Sequence, residues 1–177
     1  MNLRSLASTL KPMMYLAAAL LCGFWIQTLR STSVEAQIEP AVQGVSGELI
    51  YVPIYSSIYY ENGKDTLELA AMLSIHNVNP DHPLTILRAD YYDTAGKLIH
   101  KHAEKPLTLN ALETKNIVIE RTNKAGGTGA NFLIEWQADR SVASPVVEAV
   151  MVNASSNLGI AFTSTGKVVR QRSAATK

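Results

Sequence analysis

From Gly47 onward, apolar residues recur at every second position rather than every third or fourth, and β-branched and aromatic residues fill many of those places. Ile50, Val52, Ile54 and Ile58 fall on one side of an extended chain, with Tyr51, Tyr55 and Tyr59 on the other. Pro53 has no amide hydrogen, so this first strand is expected on a sheet edge or bent there. Leu67, Leu69, Ala71, Leu73 and Ile75 alternate with Glu68, Ala70, Met72, Ser74 and His76, the pattern of a strand with one buried face.

Asn77 to Pro83 packs Asn, Pro and Asp into a turn. A hairpin is expected next, with strands at Thr85–Tyr92 and Lys97–His102 around Asp93-Thr94-Ala95-Gly96, where Gly96 supplies a left-handed residue. Further strands are predicted at Asn116–Glu120, Asn131–Ala138, Val146–Asn153 and Gly159–Ser164, separated by Gly- and Asn-rich or polar breaks. No helical period is present between Gln37 and Lys177. About seven or eight strands at this spacing predict an all-β chain, an immunoglobulin-like antiparallel β-sandwich with Phe132, Ile134 and Trp136 at its centre.

The amino-terminal region has a different pattern. Arg4 and Lys11 precede an uninterrupted apolar run, Met13 to Ile26, and Val34-Glu35-Ala36 places small residues where a signal peptidase cuts. As a helix the run would span about 21 Å, short for a bilayer core of about 30 Å and suited to a signal peptide. Extended over residues 12–29 it would reach about 27 Å, enough for an uncleaved anchor. Both versions leave the body outside the cytoplasm, in the periplasm or an equivalent space. The expected organisation is a signal peptide or anchor over 1–36, a linker over 37–46, the sandwich over 47–166 and a basic disordered tail over 167–177.

Charge and cysteine content narrow the functional classes. The chain has 16 Lys and Arg against 15 Asp and Glu, a formal net charge of +1. Its only dense basic stretch is the tail, Lys167, Arg170, Arg172 and Lys177, so nucleic acid is not an expected partner. Cys22, the single cysteine, lies inside the apolar run. Leu20-Leu21-Cys22-Gly23 has a large residue where a lipid-attachment motif needs a small one, and the body has no disulfide or thiolate.

Several stretches carry a resemblance: Tyr51-Val52-Pro53-Ile54-Tyr55-Ser56, Asp90-Tyr91-Tyr92-Asp93-Thr94-Ala95-Gly96-Lys97-Leu98, Phe132-Leu133-Ile134-Glu135-Trp136 and Pro145-Val146-Val147-Glu148-Ala149-Val150-Met151. Together they resemble an exported bacterial family, domain of unknown function 3124, over about Tyr51 to Val168. That likeness implies no known activity and no site residues. Leu107 to Thr114 and Val142 to Met151 are similar to the small β-sandwich transducers that partner sensory rhodopsins, which are cytoplasmic and lack an export segment. This second likeness implies a sandwich and hints at a protein-binding module.

Candidate chemistry is sparse. His100 and His102, two apart on a strand, leave the same face in a geometry that metals use; His76, His82, Asp81 and Glu104 could join them only if the turn and the hairpin meet. Lys124-Ala125-Gly126-Gly127-Thr128-Gly129 has phosphate-loop composition but runs into a strand and lacks the Gly-Lys-Ser/Thr ending, which favours a connecting loop. Ser164-Thr165-Gly166-Lys167 has Ser-x-x-Lys spacing without the helical turn that pairing needs. Glu135 and Glu148 are a carboxylate pair if their strands are neighbours.

Tyr51, Tyr55 and Tyr59 are the principal binding candidates, as a stripe suited to a protein interface or to glycan stacking, with Tyr60, Tyr91 and Tyr92 as candidate neighbours. The expected function is therefore non-enzymatic and cofactor-free: a binding module for an extracytoplasmic protein partner. A cell-wall or polysaccharide-binding domain, or a periplasmic metal-binding protein using His100 and His102, are the alternatives. Membrane contact is expected only through an uncleaved amino-terminal segment, and the oligomeric state stays open.

Overall fold

Period-two alternation becomes strand throughout a computed structural model that describes residues 44–154 and 159–172. The strands are β1 Val45–Pro53, β2 Ser57–Tyr60, β3 Asp65–Glu68, β4 Ala70–His76, β5 Leu84–Tyr92, β6 Leu98–Lys101, β7 Leu107–Leu109, β8 Thr114–Ile119, β9 Asn131–Val142, β10 Val146–Asn153, β11 Ile160–Thr165 and β12 Lys167–Gln171. The expected signal or anchor segment lies outside the described residues. Among those residues, no helix is long and apolar enough to cross a membrane.

The strands form antiparallel sheets. One is six-stranded, in the order β12-β1-β9-β5, with β6 and β7 sharing the far side of β5. The second has the order β11-β10-β4-β8, and β2 pairs β3 in a small hairpin. Ile50 and Val52 of β1, Phe132, Ile134 and Trp136 of β9, Leu73 and Ile75 of β4, and Ala149 and Met151 of β10 all enter one hydrophobic cluster. Both large sheets thus turn their apolar faces to the same core. The predicted centre is correct: Phe132 and Ile134 are 0% exposed and Trp136 1%.

The differences from expectation have local causes. The stretch Leu67–His76 is not one strand but β3 and β4, broken at Leu69, which is buried and donates its amide to Ser56 O at 2.9 Å. Strand β1 is not an edge, since β9 and β12 flank it. Pairing to β12 ends at Tyr51, however, so Pro53 lies just beyond the ladder where a donor would be missed. The segment expected to fray supplies β12, and only residues 173–177 of that tail lie outside the described residues.

Strand β12 joins the sheet opposite to β11 because the chain changes sheets at Gly166. Its amide donates to Val147 O at 2.8 Å, and a Cβ there would come within 2.7 Å of Ile50 Cγ2. Only glycine fits a backbone wedged between strands of both sheets.

Candidate functional site

Cross-strand register sets which residues share the outward face of the six-stranded sheet. Tyr51 stands opposite Lys167 on one side and Leu133 on the other; Leu133 stands opposite Asp90, and Asp90 opposite Lys101. Since Ile50 and Val52 point into the core, this row faces out. The adjoining row runs Arg170, Leu49, Glu135, Arg88. Tyr92, opposite Asn131 and Leu98, borders the first row on its other side.

The charges here are coupled. Glu135 has three guanidiniums around it, with Arg88 Nε at 3.6 Å, Arg172 at 3.7 Å and Arg170 at 3.8 Å. Arg88 Nε is also 3.9 Å from Asp90, whose Oδ2 accepts from the Tyr92 hydroxyl at 3.4 Å. Arg172 donates to Gln137 Oε1 at 2.8 Å. Two carboxylates hold the arginines in place, and with Lys101 and Lys167 the face has five cations against two anions. A cavity of about 290 Å³ opens beside Arg170 and Arg172, reaching Glu48. That carboxylate, only 3% exposed, accepts from Trp136 Nε1 at 3.2 Å and Gln171 Nε2 at 3.3 Å.

The tyrosine stripe does not survive as one face. Tyr51 is on this sheet and 36% exposed, Tyr59 projects from the β2–β3 hairpin at 62%, and Tyr55 packs half-buried with its ring 6.2 Å from Phe162. The chain leaves β1 after Pro53, so equal spacing in sequence no longer means a shared surface. Of the neighbours expected for the stripe, Tyr92 is nearest Tyr51 in the outward pattern, whereas Tyr91 points into the core at 1% exposed. Arg88 is not among the expected site residues, because the bulge between Ile86 and Arg88 shifts its register.

His100 and His102 do come together, with ring centroids 4.5 Å apart and edge-on. His102 also packs against Phe132 at 5.4 Å and Tyr91 at 6.5 Å. Burial, with the neighbouring His100 adding to it, holds the His102 imidazole below the ordinary histidine range. His76 is engaged elsewhere, 2.9 Å from Thr114 Oγ1 and 3.7 Å from Glu148. Among the described residues, no three His, Cys, Asp or Glu side chains are grouped to hold a metal ion.

The remaining candidates separate. Glu135 lies in the six-stranded sheet and Glu148 in the other, so they are not a neighbouring pair. The glycine loop is a connector: Ser56 Oγ accepts from Gly127 N–H at 2.8 Å and Thr94 Oγ1 from Gly129 N–H at 2.9 Å, leaving neither amide for a phosphate. Ser164 donates to Pro53 O rather than meeting a lysine.

No curated protein matches the chain. A crystal structure of Thermotoga maritima 1070 is similar at 13% identity and a TM-score of 0.41, covering 73% of this chain and 98% of that one. The family model described as protein of unknown function (DUF3124) matches residues 47–169, from the first strand into the last, and the chain belongs to that family.

Proposed function

We propose that this is a non-enzymatic, extracytoplasmic binding domain, an immunoglobulin-like antiparallel sandwich that engages an acidic protein partner through the outward face of its six-stranded sheet. The carrying observation is the Tyr51–Leu133 row, bordered by Tyr92 and by Lys101, Arg88, Arg170, Arg172 and Lys167. Tyrosine and arginine dominate the energetic centres of protein interfaces, and the excess of cations selects an acidic surface. Strands about 4.8 Å apart and about 30 Å long make a face on the order of 700 Å², close to one side of a standard interface. Glu135 and Asp90 supply pre-organisation, holding the guanidiniums before a partner arrives.

A photo-crosslinking residue at Tyr51 of the full chain, in its native envelope, tests this reading. One protein adduct from Tyr51, absent when the same residue replaces Val118 on the opposite sheet, is expected. Glycan adducts alone would move the assignment to a wall polymer, and equal labelling from both positions would end it.

A further inference from the structure

On the side of the domain where the β6 edge of one sheet stands beside edge strand β8 of the other, a groove of about 500 Å³ is lined by His100, Lys101, His102, Glu104, Lys105 and Lys115. We propose that this groove is a second binding site, meeting the outward tyrosine–arginine face only at Lys101, and that it takes phosphate, as the free dianion or as a terminal phosphate ester.

The lining is lopsided in charge: three ammonium groups and two imidazoles against the single carboxylate of Glu104. Among the described residues, none of these lysines has a carboxylate within ion-pair distance, although the chain as a whole is nearly neutral. Lys115 is the telling member. Its register partner Ile75 and its strand-mates Ile117 and Ile119 point into the core, so Lys115 points to the inter-sheet side and not outward. Its charge is delivered to the groove by the pleat of the strand.

The chemistry of the donors selects the ligand. A planar carboxylate is matched best by the fork of an arginine, and the groove has none. Ammonium groups are compact point charges that suit a tetrahedral oxyanion approached from several sides. His100 and His102, in edge contact at 4.5 Å, line both this groove and a neighbouring cavity of about 240 Å³, so each imidazole can offer one N–H to a phosphate oxygen. The competing account of Lys115 is purely architectural: an inward-pointing charge on an edge strand blocks sheet-to-sheet aggregation.

Isothermal titration of the purified full chain with inorganic phosphate, and separately with glycerol 3-phosphate, tests the proposal. Saturable binding of either ligand is expected, the free ion alone or the ester as well identifying which source the groove accepts. Replacing Lys105→Gln and Lys115→Gln together weakens binding at least about tenfold, whereas Lys64→Gln, in the turn after β2, leaves it unchanged. No saturable binding of either ligand overturns the proposal, as does unaltered affinity in the double variant. Self-association of Lys115→Gln with phosphate affinity intact assigns that lysine to edge protection and also overturns it.

Discussion

The Tyr91 hydroxyl lies directly over Gly126, inside the space a Cβ on that glycine would need, with the Ala130 methyl 2.7 Å from the same point. The Tyr91 oxygen is buried without a hydrogen-bond partner of good geometry. The Ser56 hydroxyl nearby is committed to the Gly127 backbone, so it tempers the burial of Tyr91 without relieving it. Gly126→Ala is therefore expected to cost about 2 kcal/mol or more through overpacking, measured by urea denaturation. Tyr91→Phe removes a buried unsatisfied hydroxyl and should leave stability equal or raised by about 1 kcal/mol.

Burial pushes the Tyr91 phenol above its ordinary value, so the unfolded chain ionises first as pH rises. Stability from this group is complete below about pH 10 and declines above it. In Tyr91→Phe that alkaline decline is expected to be shallower, read as the slope of denaturation midpoint against pH.

His102 titrates in the opposite part of the scale. Its folded-state pKa is lowered, so below about pH 6.5 the unfolded chain takes up the proton that the folded chain resists. Stability is full above that value and falls as pH drops toward the folded pKa. His102→Gln should flatten the midpoint between about pH 7 and pH 5; an unchanged acid slope would remove His102 as its source.

Asn77, 2% exposed, ties the turn after β4 to the link between β7 and β8. Its amide donates to His82 O at 2.8 Å and Asn110 O at 2.8 Å, while its carbonyl accepts from Asn79 at 2.9 Å. Asn77→Ala strands several buried groups at once and is expected to cost about 3 kcal/mol or more, seen as an early urea midpoint.

Tyr51→Ser offers a contrast on the proposed binding face. The side chain is 36% exposed and its backbone ladder is unaffected by substitution, so a stability change within about 1 kcal/mol is expected. Loss of the partner adduct formed from a neighbouring crosslinker at Lys167, in a chain of unchanged stability, would separate recognition from folding.

What is local in this fold is legible along the chain. The Gly96 turn, with φ at +79°, and the bounds of β10 follow from turn chemistry and period two, and Phe132, Ile134 and Trp136 follow from their shared parity. What depends on pairing is not. Glu135 and Glu148 sit on consecutive strands, yet the chain crosses between sheets after Val142, and nothing in their spacing records that. Tyr55 and Tyr92 exchange importance for a similar reason: one lies past the end of β1, and the other is brought beside Leu133 by a non-local ladder. Strand β12 is short, cationic and exposed, a composition that looks like a tail until β1 is placed next to it.

That last pairing has a consequence for biogenesis. The first and last strands of the described domain are hydrogen-bonded neighbours, joined by ladder pairs from Glu48 with Gln171 to Tyr51 with Lys167. A chain emerging amino terminus first holds the β12 side of β1 open until Lys167–Gln171 has emerged. Completion of the six-stranded sheet thus waits on β12, and a nascent chain stalled before Gly166 would present that unpaired edge to chaperones for as long as the stall lasts.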